Sequence, residues 1–158
     1  MAFEQYTQLL KQLESDTGIQ GLSFNEMGEC VFLVNNSLAV TVKARADETW
    51  VSLSAMIASE LPDPAPQQFF EDLLKIALYP MSSSSPIIGM DEETEALIAY
   101  QNIPMSRELL NGTFPVMVNE FIAFCILSVK AVAAVANGNS VTALSNIKQE
   151  IGEGAVRA

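Results

Sequence analysis

Apolar residues recur early in the chain at Phe3, Tyr6, Leu9, Leu10 and Leu13, with Glu4, Gln8, Lys11 and Gln12 between them. This spacing of three and four draws one apolar stripe along a helix. It predicts a helix over Phe3–Ser15, ended by the Asp16-Thr17-Gly18 turn. The period then shortens. Strands are predicted over Gly21–Asn25, Glu29–Val34, Leu38–Ala44 and Trp50–Ile57, separated by the turn formers Met27-Gly28, Asn35-Asn36 and Asp47-Glu48. Leu38, Val40 and Val42 alternate with Ala39, Thr41 and Lys43, as in a strand with one buried face. Cys30-Val31-Phe32-Leu33-Val34 is apolar on both pleat faces and asks for cover on each. Short connections make an antiparallel meander the economical topology.

Pro62, Pro64 and Pro66 break the strand pattern, and Pro66 suits the first position of a helix because it has no N–H to leave unsatisfied. The second helix is predicted from Pro66 to Tyr79, where Pro80 prevents continuation. Its apolar residues, Phe69, Phe70, Leu73, Leu74, Ile76, Ala77 and Leu78, cover more than one stripe. One reading sandwiches this helix inside its own domain; the other packs one face on the sheet and the other on a second subunit. Met81 to Pro86 reads as an exposed, mobile serine loop. A hairpin follows, Pro86–Met90 and Glu95–Asn102, around Asp91-Glu92-Glu93. Ser106–Asn111 predicts a turn of helix before Gly112. A long third helix then starts with Thr113 as N-cap, takes Pro115 in its first turn and stops at Asn137-Gly138. Thr142–Ile151 is a marginal helix candidate. The pattern defines one α+β domain, α-β-β-β(-β)-α-β-β-α, a twisted antiparallel sheet flanked by helices over residues 1–136. Residues 137–158 form a tail, partly helical or disordered.

Composition adds that 49% of the 158 residues are hydrophobic and only 17% charged. Val116–Ala136 is the one stretch that invites a membrane reading. Glu120 and Lys130 interrupt it, so it is expected to be a buried core helix, without membrane insertion. No basic leader precedes an apolar run at the N-terminus, so no signal peptide is expected. The formal charge of −11, from 8 basic and 19 acidic residues, repels phosphate backbones and argues against nucleic acid as a partner. Cys30 and Cys125 sit in apolar contexts without CxxC spacing and read as reduced core residues of a cytosolic protein.

The sequence contains no histidine, which removes the usual general base, the Ser-His and Cys-His nucleophile pairs and the commonest metal ligand. Neither a dinucleotide-binding nor a phosphate-cradling glycine motif is present, and no cofactor is expected. Asp91, Glu92, Glu93 and Glu95 lack the donor spacing of a calcium loop and read as a solvated hairpin tip. No metal site or catalytic residue is assigned; a carboxylate-dependent enzyme stands as the remotest reading. The remaining signal is apolar surface on an acidic protein, which points to binding other protein.

The run Gly18-Ile-Gln-Gly-Leu-Ser-Phe-Asn-Glu26, the following Cys30–Val34, the proline-rich approach to the second helix and the Ile-Pro-x-Ser segment at 103–106 carry a resemblance. Over about Phe3 to Ala136 the chain resembles class I type III secretion chaperones of the Tir-chaperone, or CesT-like, family. The resemblance implies a small acidic bacterial cytoplasmic protein that forms a homodimer. It implies binding to the N-terminal chaperone-binding segment of one or more secreted effectors, which is kept extended and delivered to the secretion apparatus, with the secretion ATPase as a further partner. By position, effector contacts are expected at Leu10, Leu13, Phe24, Phe32, Val34 and Leu53. Dimer contacts are expected at Phe69, Leu73, Ile76, Leu97, Ala99 and Tyr100. A same-fold protein that sequesters a regulator is the alternative. A one-residue shift of register exchanges the two faces of every strand, so which face is outer stays open.

Overall fold

A computed structural model of the chain describes residues 4–47, 49–78 and 85–138, with residues 75–78 described through their backbone only. The elements are α1 (Glu4–Thr17), β1 (Glu29–Val34), β2 (Leu38–Ala44), β3 (Trp50–Ala58), α2 (Gln67–Leu78), β4 (Ile87–Met90), β5 (Leu97–Pro104), a wide π-type turn (Leu109–Thr113) and α3 (Phe114–Ala136). The tail helix expected over Thr142–Ile151 and the serine loop, save Ser85 and Pro86, lie outside the described residues.

All pairings are antiparallel, and the strand order is β1-β2-β3-β5-β4. The first three strands form the expected meander. The chain then passes through α2 to the far edge, and the β4–β5 hairpin lays β5 beside β3. Asn35 and Asn36 turn β1 into β2 with φ of 52° and 56°, a left-handed pair that asparagine tolerates better than other non-glycine residues.

Gly21–Asn25 is irregular, not a strand. Its polar groups are taken locally instead of by a ladder. Leu22 N–H donates to the Glu14 carboxylate at 2.8 Å, and Asn25 Oδ1 accepts from the N–H groups of Met27 and Glu29 at 3.0 and 2.9 Å. The sheet therefore has three strands before α2.

One core fills the space between the sheet and the helices. Cys30, Phe32, Leu38, Val40, Val42, Val51, Leu53, Ala55, Leu97, Ala99 and Ile103 face inward from the sheet, every second residue of their strands. α3 crosses this face against β3, and α1 packs on α3 and on the wide turn. The inward stripe of α3 includes Phe114, Val118, Phe121, Phe124, Cys125, Val132 and Val135. By length and composition the helix from Leu109 to Ala136 could cross a membrane; here it is the central beam of the core. Thr113 holds its cap position, but its side chain makes no capping bond, because the wide turn runs into the helix without leaving helical dihedrals at Thr113. Ser106 caps that turn, its Oγ accepting the Leu109 N–H at 3.1 Å.

Candidate binding surface

The outer face of the sheet is set by the register. A row of side chains runs Val31–Thr41–Ser54–Tyr100–Ile87 across all five strands. Leu33, Ala39, Met56, Ile98 and Gly89 share the same face. Val31 and Leu33 are 59% and 58% exposed, and Met56 also stands in solvent. The second apolar face of β1 thus has no cover among the described residues. Exposed apolar side chains grouped on one face mark binding surface more often than chance exposure.

β1 is also an edge strand. Ala44 N–H donates to the Gly28 carbonyl at 2.8 Å, which fixes the phase of the ladder. The Gly28 carbonyl and the peptide groups of Cys30, Phe32 and Val34 turn toward β2, and Glu29, Val31 and Leu33 turn theirs toward the open edge. Asn25 occupies the first of these positions: its N–H donates to the Glu29 carbonyl at 2.9 Å while its side chain receives the Glu29 N–H. Beyond that clip no strand among the described residues pairs with the edge at Val31 and Leu33. An open edge beside exposed valine and leucine is a template for another extended segment.

The structure separates the expected effector contacts by pleat parity. Leu10, Leu13, Phe32 and Leu53 are buried core residues. Phe32 and Leu53 share the inner face with Val40 and Val42, so they do not form the outer surface assigned to them. Phe24 and Val34 are half-buried at the margin of the core, where the Phe24 ring meets Tyr6 edge-on, centroids 6.2 Å apart. The outer positions are the neighbours Val31 and Leu33. The alternation of β1 hid this, since either parity is apolar; the register that pairs Phe32 with the buried Val40 and Val31 with Thr41 is what distinguishes them.

The expected dimer contacts divide similarly. Phe69, Leu97 and Ala99 are core, Leu73 is half-buried against it, and Tyr100 is exposed on the outer sheet face. The Ile76 side chain lies outside those described. α2 packs against β4 and turns Phe70 and Leu74 outward, Leu74 being 69% exposed. The helix is thus apolar on the face that Phe69 buries and on the face that Phe70 and Leu74 expose.

Among the described residues no group of three His, Cys, Asp or Glu side chains is placed to hold a metal ion. Asp91 to Glu95 form an exposed tip, where Asp91 accepts from the Thr94 N–H at 3.1 Å and from the Thr94 hydroxyl. Both cysteines are free and buried. Burial pushes the Cys125 thiol up to about 12, and burial raises Cys30 as well, so neither is an activated thiolate.

An antiparallel sheet backed by three helices, an open apolar edge and a doubly apolar α2 are the features of a protein-binding domain. The chain belongs to the Tir chaperone protein (CesT) family, whose sequence profile matches residues 8–124. Its fold is shared with the Yersinia pestis type III secretion chaperone SycH, solved in complex with a stable fragment of YscM2. That match has a TM-score of 0.63 and 13% identity, and covers 80% of this chain and 98% of that one. A chain of the HopA1–SchA chaperone–effector complex matches with a TM-score of 0.56 and 26% identity, over 75% of this chain and 91% of that one. A chain of the ExsC–ExsE complex matches with a TM-score of 0.56 and 20% identity, over 80% and 96%. No curated relative matches the chain in sequence.

Proposed function

We propose that this protein is a homodimeric chaperone of the bacterial cytoplasm that binds the N-terminal segment of one or more secreted effectors. It keeps that segment extended and hands it to the secretion apparatus, with the secretion ATPase as the receiving machine. The observation that carries the reading is the open edge of β1 flanked by the outward side chains of Val31 and Leu33. An effector strand laid there gains main-chain hydrogen bonds from the edge. It also buries apolar side chains against Val31, Leu33 and Met56, at about 25 cal/mol for each Å² removed from water. The bound segment stays unfolded on its own because its partners are supplied by the chaperone. The similar structures support this reading, since SycH is a chaperone solved with a fragment of YscM2 and HopA1–SchA is a chaperone–effector complex. Exposed Phe70 and Leu74 on α2 and Tyr100 on β5 support a second subunit as the cover for the other apolar surface.

Co-expression with the N-terminal segment of an effector encoded beside the gene, followed by limited proteolysis, tests the proposal. The segment is expected to co-purify and resist a protease that degrades it when free. Complete degradation in the presence of excess chaperone sinks the reading. A protected partner that is never secreted instead identifies a sequestered regulator.

A further inference from the structure

Residues 21–25 carry the side-chain order of a strand without belonging to the sheet. Gly21, Ser23 and Asn25 are exposed, whereas Leu22 and Phe24 between them are half-buried against the core. The segment runs beside β1. The Asn25 N–H donates to the Glu29 carbonyl at 2.9 Å, and the Asn25 side chain accepts the Glu29 N–H at 2.9 Å. Asn25 and Glu29 thus stand opposite each other as an antiparallel pair would. Continuing that register sets Ser23 opposite Val31 and Gly21 opposite Leu33, the two positions left open on the edge.

Much of such a pairing is already in place. Leu22 and Phe24 would share the inner face with Cys30 and Phe32, and that is the side they occupy. The Leu22 N–H would point away from β1, and it already has the Glu14 carboxylate at 2.8 Å. Two features keep the ladder from forming. The Ser23 main chain is diverted to the Cys30 thiol. Of residues 19–25, Gly21 alone has a positive φ, 79°, which breaks the extended run at the residue that would oppose Leu33.

We infer that residues 21–25 are a strap that closes on the edge of β1, pairing Ser23 with Val31 and Gly21 with Leu33, and so guards this edge until an effector strand displaces it. An unguarded edge strand is a template for unwanted pairing between chains, and a closed strap removes it. The strap is built to yield. Closed, it sets serine and glycine beside Val31 and Leu33 on the outer face and leaves both apolar side chains uncovered. A strand with apolar residues at those two places makes the same main-chain bonds and buries that surface as well. The displacement rests on the effector site proposed above; the closure does not.

Amide exchange resolved by NMR on the full chain, without effector, tests the closure. A side chain at Gly21 would meet no atom within 4 Å, so Gly21→Val penalises the open form through its backbone alone, by about tenfold. The Val31 and Leu33 amides should then exchange about tenfold slower, while those of β2 and β3 are unchanged. Gly21→Asn, which tolerates the left-handed conformation, should leave them near the unsubstituted rate. Gly21→Ala carries the same backbone penalty and serves if the valine variant fails to fold. Equal exchange at Val31 and Leu33 in all these proteins overturns the strap. Titration calorimetry with the N-terminal segment of the effector encoded beside the gene reads the displacement. Its affinity should fall about tenfold with Gly21→Val and stay unchanged with Gly21→Asn. Slowed exchange with unaltered affinity overturns the displacement and moves the effector off β1. Slowed exchange in a protein whose unsubstituted form binds no segment refutes the effector reading, and the strap stands as a guard of the edge alone.

Discussion

The hydroxyl of Tyr6 on α1 donates a hydrogen bond of 2.8 Å to the backbone carbonyl of Trp50 at the start of β3, across 44 residues of sequence. Tyr6 is fully buried, and its ring also meets Phe24 edge-on. One side chain thereby ties the first helix, the irregular segment after it and the central strand into one unit. Replacing Tyr6 with Phe keeps the ring and removes the hydroxyl, leaving a carbonyl short of one partner away from water. The cost is expected at about 1 kcal/mol, up to ~3 if no water replaces the hydroxyl. For a chain of this size that lowers Tm by about 2–4 °C per kcal/mol. Thermal unfolding of both proteins at one fixed concentration checks it, because subunit association makes Tm concentration-dependent. An unchanged Tm would mean the bond contributes nothing.

Val31 and Leu33 should matter to binding and little to folding. Both side chains stand more than half exposed, so Val31→Lys with Leu33→Lys removes little burial from the isolated chain. Two lysines on an open edge oppose strand addition by charge and by losing the apolar contact. Affinity for an effector segment is expected to fall tenfold or more, about 1.4 kcal/mol, by calorimetric titration. The Phe32→Ala change should behave oppositely. Phe32 is a core side chain, and its truncation should cost about 3–5 kcal/mol of stability before any effect on binding can be read.

The contrast between those neighbours marks the limit of what the sequence discloses. The meander, the hairpin, the stop at Gly138 and the resemblance carried by Gly18–Glu26 were legible, because periodicity and turn chemistry are local. The phase of β1 was not. Phe32 and Val31 are equally apolar, and only the register that sets Phe32 beside the buried Val40 and Val31 beside Thr41 decides which one faces out. Gly21–Asn25 reads as a strand by composition, yet the Asn25 side chain captures the N–H groups of Met27 and Glu29 and leaves the segment irregular. α2 misleads for a related reason. Phe69 and Phe70 are adjacent and alike, and their rings meet edge-on at 5.5 Å, but Phe69 is core and Phe70 is surface.

That outward face of α2 yields the next prediction. Phe70→Asp with Leu74→Asp places two carboxylates where the proposed subunit contact needs apolar area. A stable interface removes roughly 1,000 Å² or more from water, and two unpaired charges at its centre are not tolerated. Light scattering should give twice the 17.1 kDa chain mass for the unsubstituted protein and the single chain mass for the double variant. Far-UV circular dichroism of the variant should stay unchanged, since neither residue is buried in the single chain. A dimer that persists in the variant would move the contact away from α2.

Cys125 gives stability a pH dependence of defined sign. Burial raises its thiol from 9.0 to about 12 in the folded chain, because a thiolate among Phe121, Phe124 and the sheet would lose its hydration. The folded state therefore favours the protonated thiol. Below pH 9 both states hold the proton and the full stability is present. Between pH 9 and about 12 the unfolded chain loses the proton first, so stability declines as pH rises, approaching about 1.4 kcal/mol per pH unit from this group. Cys30 contributes in the same direction, its thiol raised by burial too. Cys125→Ala should lower stability at pH 7 through the lost sulfur contact, by about 1 kcal/mol. It should also flatten the decline, so the difference between the two proteins shifts by about 1.4 kcal/mol in favour of the variant between pH 8 and pH 10, enough to cancel or reverse the deficit seen at pH 7. Urea unfolding at a series of pH values measures that gap directly, with Lys and Tyr titrations common to both proteins. Parallel curves from pH 8 to pH 11 would show that the thiol ionises in the folded chain as readily as in the unfolded one.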